Sequence, residues 1–395
     1  MYGAQLIEAL RARVGTELDP LRAEQGQAAT PIMPLEFFGA GGERMRAAGC
    51  DIIVDAKDLA VVGITEILSH LPKILGLFRE LIRAADQKQP AVAIVIDSPA
   101  FNWRVARQMR KRCIPVVYYV CPQFWAWRQG RVKLLRKYVN KAIVIFPFEE
   151  KFYRDRGVDA TFVGHPLADM PVPDISREAY AAQNQLDATK QWITLMPGSR
   201  RKEVRMNLPT VLEAAERMGV SYEFLLPVAR TLDSSFFKEL IESLTRTRRA
   251  TSLQKSLHLV PEALPALHHS RAGIIASGTA TVEAALMGTP FVMVYRVSAL
   301  TYTLGKPRVK VPYFAMVNLI AEEEVVPELV QHKFTPENII AEMNEIISDG
   351  EPRARMIARL AAVKARLQQG GGGMHPAEAA ADIIFDLAKP TISQI

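Results

Sequence analysis

Two short turns carry most of the chemistry legible in this chain. The first is Leu195-Met-Pro-Gly-Ser-Arg-Arg-Lys-Glu-Val204, which follows an apolar run at 192–196; the second, Ala276-Ser-Gly-Thr-Ala-Thr-Val-Glu283, follows another at 272–276. Each sets small residues and free backbone N–H groups where a strand gives way to a helix, which is where open α/β sheets bind phosphate. Ser199 and Arg200 in the first turn, and Ser277, Gly278 and Thr279 in the second, are therefore candidate phosphate ligands. The forked guanidinium of Arg200 suits chelation of a diphosphate. Cations are disfavoured at a helix start unless an anion joins them, so Arg200, Arg201 and Lys202 point to a ligand more than to a solvated cluster. Glu283, about one helical turn beyond Thr279, is placed to hold ribose hydroxyls. Plain N-capping and a first-turn acid explain any one of these residues alone. The two sets together point to a nucleotide-activated substrate.

Other residues add to the picture. Asp97 closes an apolar run in Val95-Ile-Asp-Ser-Pro-Ala-Phe-Asn102. A carboxylate at the C-terminal edge of a parallel strand faces a ligand cleft and can act as general base toward a sugar hydroxyl; a helix cap is the plainer alternative. Trp125, Trp127 and Arg128, in Pro122-Gln-Phe-Trp-Ala-Trp-Arg128, either wall a sugar or acyl site or belong to packing. The basic run after them is a solvated helix face or a membrane-facing patch. Residues 59–82 are more apolar than a surface helix needs and are broken at Pro72; they read as core, or as a surface that meets lipid or acyl chains. No His, Cys or carboxylate cluster has metal-ligand spacing and there is no Asp-x-Asp pair, so Arg and helix dipoles are expected to carry the charge, without metal or cofactor.

The elements that must position these groups follow from pattern. Apolar β-branched runs at 93–97, 116–120, 142–146, 192–196, 223–226, 257–260, 273–276 and 291–295 alternate with amphipathic stretches. Strands that are apolar on both faces, alternating with helices, predict parallel sheets with right-handed crossovers. A Pro-rich passage at 164–175 divides the run. The prediction is α/β: two doubly wound, Rossmann-like domains facing a cleft, one over 1–168, one over 169–351. Gly39-Ala-Gly-Gly42 reads as a tight strand-to-helix turn. Residues 3–13 form an amphipathic helix with no strand before it, whereas such a domain normally starts with its central strand; the first strand is expected to be missing.

At 395 residues, 49% hydrophobic and 23% charged, the composition is that of an ordinary globular chain. The formal charge of +7 suits phosphate-bearing partners or an anionic membrane surface. Three scattered cysteines give no disulfide framework and fit a reducing cytoplasm. No run of about 18 apolar residues predicts a membrane span, and no nucleic-acid partner is indicated.

Taken together, Phe38-Gly-Ala-Gly-Gly42, Leu59-Ala-Val-Val-Gly63, Ile96-Asp-Ser-Pro-Ala-Phe-Asn102, Trp125-Ala-Trp-Arg128, Pro147-Phe-Glu149, Val163-Gly-His165, Leu195-Met-Pro-Gly-Ser-Arg200, Ser277-Gly-Thr-Ala280 and Val317-Asn-Leu319 resemble the lipid-A-disaccharide synthase family over nearly the whole chain. The resemblance implies a GT-B fold and an inverting transfer. UDP-2,3-diacylglucosamine would give its sugar to the 6-hydroxyl of 2,3-diacylglucosamine 1-phosphate, forming the β-1,6 disaccharide 1-phosphate and UDP. It implies Asp97 as base, and Ser199, Arg200, Ser277, Gly278, Thr279, Glu283 and Asn318 around UDP. Val62, Ile64, Ile67, Leu68 and Leu71, with Met206 and Trp125, Trp127 and Arg128, become an acceptor or membrane surface, and the chain would sit peripherally on the cytoplasmic face of the inner membrane, with room for an oligomer. It further implies that helices from about 352 to 395 cross back to the first domain. The family usually begins with a strand and a Ser-Ala-Gly-Glu-x-Ser-Gly-Asp turn before the Tyr-Gly-Ala that stands here at Tyr2-Gly3-Ala4. The runner-up readings are another GT-B enzyme, such as a UDP-N-acetylglucosamine 2-epimerase, which has no use for the apolar stretch at 59–82, and a shortened chain that binds UDP or lipid without turnover.

Overall fold

The computed structural model describes residues 1–25, 35–59, 64–229, 232–248 and 253–392; for 15–25, 59, 64–71, 245–248, 254, 300, 304 and 389–392 only the backbone is described. The chain forms two compact units, Leu167–Arg366 and Met1–Pro166 joined by Leu367–Ile395.

The unit Leu167–Arg366 holds one parallel sheet of strands β7 (Gln191–Met196), β8 (Tyr222–Pro227), β9 (Leu257–Val260), β10 (Ala272–Ala276), β11 (Phe291–Tyr295) and β12 (Glu328–Val330). Their order is β12-β11-β10-β7-β8-β9. The chain thus starts at the centre, winds out to one edge, returns and winds out to the other. The order reverses between β7 and β10, which pair in parallel with Ile275 opposite Met196. Trp192, Ile193, Leu195, Phe224, Ile274, Phe291 and Val292 are fully buried. Each such side chain contributes about 1.5–3 kcal/mol on burial, so these runs stay interior with helices on both faces.

The other unit carries β3 (Ala93–Ile96), β4 (Val116–Tyr119), β5 (Lys141–Val144) and β6 (Ala160–Phe162) as a parallel sheet in that order, and β1 (Phe37–Gly41) with β2 (Cys50–Asp55) as a separate parallel pair. Among the described residues no strand joins β1 to β3. The glycines at 39–41 lie inside β1, and the turn begins only at Gly42, which starts the helix Glu43–Ala47. A glycine run between aromatic residues and a helix reads as a turn, but parallel pairing with β2 keeps it extended. Strands β2, β6 and β12 escape the sequence pattern because β2 mixes acids with its apolar residues and the other two have three residues each.

Helix Tyr2–Gln25 buries Leu6, Ile7 and Leu10 and packs on the closing helix Pro376–Ile392, with Arg13 paired to Asp382. The return of the chain comes at Leu367, later than 352. Helix Glu351–Gln368 stays on the other unit because Lys364 donates to the carbonyl of Leu286 and Arg366 to that of Ile320. Beyond it the chain lies against Val163-Gly164-His165, where the His165 N–H donates to the carbonyl of Leu367 at 3.0 Å. A Cβ on Gly370 would stand 1.8 Å from the nitrogen of Gly164 and 2.3 Å from the carbon of Val163. Only glycine lets these two backbones touch.

Gly370→Ala is accordingly expected to destabilise the protein by about 1–3 kcal/mol or more, the scale of forced overpacking. Gly372→Ala, with open space around its Cβ but a φ of +65°, should lose about 1 kcal/mol. Urea midpoints of the two variants measure the difference.

Candidate functional site

The strongest site lies on the unit Leu167–Arg366, at the C-terminal ends of β7 and β10. In open α/β sheets a crevice forms where strand order reverses, because the connections on the two sides leave in opposite directions. β7 ends in Pro197-Gly198-Ser199-Arg200 and leads into helix Arg201–Met218; β10 ends in Ser277-Gly278 and leads into helix Thr279–Met287. Two helix N-termini thus start from paired strands, each with N–H donors and the positive end of its dipole. Gly198 and Gly278 have φ of +134° and +143°, and a Cβ on Gly198 would meet the Cβ of Glu203 at 2.7 Å.

The sequence-predicted residues take distinct places here. Ser199, Arg200 and Thr279 are exposed, and the Arg200 side chain keeps 80% of its accessible surface. Ser277 is half-buried and its Oγ donates to the carbonyl of Phe314 at 2.8 Å. Its N–H donates to the carbonyl of Val294, so only oxygen lone pairs remain for a ligand. Glu283 is half-buried on its helix, as is Met206 on helix Arg201–Met218.

Asn318 is a correction. It is completely buried, its Nδ2 donates to Val326 O and Glu328 Oε1, and its Oδ1 accepts from the N–H groups of Val325 and Val326. Its amide is therefore spent inside the chain. The Glu328 carboxylate also accepts from the N–H groups of Phe314 and Ala315, and burial raises its pKa. Asn318 and Glu328 together fix the segment whose Phe314 carbonyl receives the Ser277 hydroxyl.

Glu203 is the residue sequence reasoning missed. Its carboxylate accepts from the Ser199 N–H at 3.2 Å and pairs with Arg200 Nη1 at 2.6 Å. It sits at the third helical position, where an acid reaching back to the helix start marks a capping box; that spacing was the available signal. Asn207 Nδ2 donates to the Pro197 carbonyl at 2.8 Å and pins the same turn.

On the other unit, Asp97 and Ser98 have φ of +47° and +42°. Two successive non-glycine residues in the left-handed region cost on the order of 1–3 kcal/mol each, a strain concentrated at functional sites. The Asp97 carbonyl accepts from Tyr118 Oη at 2.6 Å and Asn102 Nδ2 at 2.7 Å, which hold that backbone in place. The side chain is exposed and makes no hydrogen bond or ion pair among the described residues. Helix Pro99–Lys111 starts at Ser98 with no side-chain cap, so the capping role considered for Asp97 is not what its carboxylate does.

The two tryptophans separate. Trp127 is 47% exposed with the Arg128 guanidinium 3.8 Å from its ring centroid. Trp125 is a second correction: it is buried, edge-on to Phe148, and its Nε1 donates to Glu149 Oε1 at 2.8 Å. The other oxygen of Glu149 accepts from the Phe146 N–H at 3.2 Å, again from the third helical position. Val62 lies outside the described residues, as do the side chains of Ile64, Ile67, Leu68 and Leu71. Among the described residues, no group of His, Cys, Asp and Glu has the geometry to hold a metal, and no helix is long and apolar enough to cross a membrane.

Comparison with known proteins adds to this geometry. The pattern described as lipid-A-disaccharide synthetase matches residues 15–381. A lipid-A-disaccharide synthase of Koribacter versatilis is 49% identical over 98% of this chain and 96% of its own, and one of Myxococcus xanthus is 38% identical over 97% and 94%. Among solved structures, the calicheamicin glycosyltransferase CalG4 superposes with a TM-score of 0.56 at 15% identity over 98% of this chain and 95% of its own. The UDP-GlcNAc 2-epimerase of Neisseria meningitidis gives 0.53 at 13%, over 96% of each. These two solved structures support the GT-B fold and, being shared by transferases and epimerases, do not choose between them; the sequence matches do.

Burial raises the pKa of Glu149 from 4.5 to about 7, so the folded state holds its proton where the unfolded chain has lost it. Stability from this group is full below about pH 4.5 and falls as pH rises to about 7, by on the order of 3 kcal/mol. His165, lowered by burial from 6.5 to about 4, acts oppositely: its stability is full above 6.5 and is lost as pH falls toward 4. Guanidinium titrations from pH 4.5 to 8 should show the stability advantage of wild type over Glu149→Gln shrinking as pH rises, with no such trend in a surface control such as Glu150→Gln.

Proposed function

The chain belongs to the lipid-A-disaccharide synthetase family and is a glycosyltransferase of lipid A biosynthesis, and on that premise we propose the substrates and the residues that carry the reaction. The donor is UDP-2,3-diacylglucosamine and the acceptor 2,3-diacylglucosamine 1-phosphate, used at the cytoplasmic face of the inner membrane. The observation that carries the reading is the pair of glycine-hinged helix starts at the strand reversal, with Arg200 exposed on one and Thr279 on the other.

In this mechanism Asp97 accepts the proton of the acceptor 6-hydroxyl as that oxygen bonds to the anomeric carbon. The bond from that carbon to the UDP oxygen breaks on the opposite face, its electron pair leaves on the diphosphate, and the configuration inverts. The charge that develops there meets Arg200 and the N–H groups of the two helix starts, a stabilisation set in place before reaction. Ser199, Gly278 and Thr279 supply donors around the phosphates, Ser277 joins them once its hydroxyl turns from the Phe314 carbonyl, and Glu283 accepts from the ribose. Asn318 acts from behind, through Glu328 and Phe314, by keeping the Ser277 turn in position. Glu203 must yield or share Arg200 when a diphosphate arrives, because both anions want the same guanidinium. The exposed carboxylate of Asp97, held by a strained backbone, is free to meet an incoming hydroxyl.

UDP release from the acylated donor, with and without acceptor, tests the whole reading. Acceptor-dependent release is expected; release independent of acceptor would speak for an epimerase-like or hydrolytic chemistry. Asp97→Asn, which keeps a residue type tolerant of positive φ, should lower turnover by about 10²–10⁴ with UDP affinity nearly intact. Equal loss of both would make Asp97 structural. Arg200→Ala should weaken UDP binding by roughly 1.5–3 kcal/mol, the scale for hydrogen bonds to charged groups, as read by calorimetry; an unchanged affinity would remove Arg200 from the site.

A further inference from the structure

Among the described non-glycine residues, positive backbone angles have two different settings. Gln89, Cys113, Gln185 and Glu322 take φ of +46°, +59°, +57° and +62° just past helices, where a left-handed residue closes the last turn. Asp97 at +47°, Ser98 at +42° and Val120 at +56° instead leave strands β3 and β4, while Gln331 at +53° stands alone after β12. Strands β3 and β4 pair in parallel with Ile96 opposite Tyr119. Asp97 and Val120 are the next residues of that register, so the strain sits side by side at one edge of the sheet. A β-branched residue such as Val120 is a genuine outlier at positive φ. Backbone of this kind persists only where its surroundings over-determine it, and it concentrates at functional sites.

At Asp97 the surroundings do over-determine it. Its N–H donates to the Tyr119 carbonyl at 3.2 Å. Its carbonyl accepts from Tyr118 Oη and from Asn102 Nδ2, and the same amide also donates to the Ile96 carbonyl at 2.8 Å. Both polar groups of the Asp97 main chain are thus engaged. Tyr118 is wholly buried, and that burial holds its phenol far above the usual range, which keeps it a donor. Asn102 stands one turn into helix Pro99–Lys111, and its N–H donates to the Ser98 carbonyl at 3.0 Å, which closes the loop on itself. The Asp97 carboxylate, by contrast, is exposed and has no hydrogen-bond or ion-pair partner among the described residues. A general base is commonly aimed by a third group that bonds to it. Here the direction of the carboxylate falls to the main chain. Relaxing φ to the negative values an L-residue prefers would swing the Cα–Cβ bond elsewhere.

We propose that Asn102 and Tyr118 are positioning residues for the transfer: by holding the Asp97 main chain left-handed, they aim its carboxylate at the acceptor hydroxyl. The proposal rests on the reading of Asp97 as the base. Neither residue touches substrate, and the effect of both passes through Asp97. They therefore govern the rate of the chemical step and leave nucleotide binding, which belongs to the turns after β7 and β10, as it is.

The test is a double-mutant cycle in the full chain, read as kcat and KM with both acylated substrates dispersed in detergent, with UDP affinity measured by calorimetry. Asn102→Ala removes the amide from both carbonyls and should lower kcat by on the order of 10²-fold, the cost of a misplacement of about 1 Å. Asn102→Asp keeps the shape but has no N–H to give, and should fall as far. Tyr118→Phe keeps the ring and should lower kcat by up to about tenfold, the worth of one hydrogen bond. Donor KM and UDP affinity are expected to stay at wild-type values in all three. In the Asp97→Asn background the same changes should leave the residual rate where it is, because no base remains to be aimed. Urea midpoints identify any variant that does not fold; Tyr118→Phe, the mildest, carries the cycle if Asn102→Ala is one of them. Full turnover by Asp97→Asn would remove the base and the positioning together. If Asp97→Asn is slow, the positioning alone is overturned by equal losses in both backgrounds, by full kcat in Asn102→Asp and Tyr118→Phe, or by UDP affinity falling in step with kcat.

Discussion

The burial of β7, β8, β10 and β11 on both faces is the constraint from which the rest of the candidate site follows. A parallel sheet so covered needs helices on each side, and a chain that winds outward in both directions must reverse once. At the reversal two helices begin from neighbouring strands, and the backbone N–H groups of their first turns have no partner within the helix. The paired helix starts therefore set backbone donors side by side before any side chain is considered. Gly198 and Gly278 let the chain turn there, and Arg200 and Thr279 stand exposed beside those turns.

Carboxylates at helix starts recur as the means of holding these turns. Glu203, Glu149 and Glu328 each accept backbone N–H groups near the beginning of a helix, and each also binds a side-chain donor, respectively Arg200, Trp125 and Asn318. The physical reason is shared: an unsatisfied N–H in a buried or crowded turn costs about 1–3 kcal/mol, and a carboxylate within reach satisfies it. The degree of burial then sets the consequences. Glu149, shut inside the core, is pushed toward neutrality. Glu203, closer to solvent, is paired with the exposed Arg200 guanidinium.

The other unit differs in kind. Its sheet is divided between β1–β2 and β3–β6 among the described residues, and its distinctive features are strain and charge in place of paired helix starts. Asp97 and Ser98 are held left-handed by hydrogen bonds from Tyr118 and Asn102 to the Asp97 carbonyl. Immediately after them begins a stretch without acids that carries eleven Lys and Arg, up to residue 148.

Much of this was legible without coordinates. The eight apolar runs from 93 to 295 each lie on a strand, because strands covered on both faces are apolar at most positions. The Gly-Ser-Arg and Ser-Gly-Thr turns were legible because turn residues and small polar groups are required locally. What sequence could not settle was direction. Trp125 and Trp127 differ by two positions, yet one is held in the core by Glu149 and the other is exposed; only packing of the turn onto helix Pro147–Arg154 decides which. Asn318 carries the right chemistry for a ligand but spends all of it on residues 325, 326 and 328. The adjacency of the two phosphate-type turns, 78 residues apart from Ser199 to Ser277, also waited on strand order. Local propensity and hydrophobic pattern are properties of neighbouring residues and can be read from them; side-chain direction, satisfaction of buried polar groups and strand order are set by contacts between distant residues, and only the folded chain brings those together.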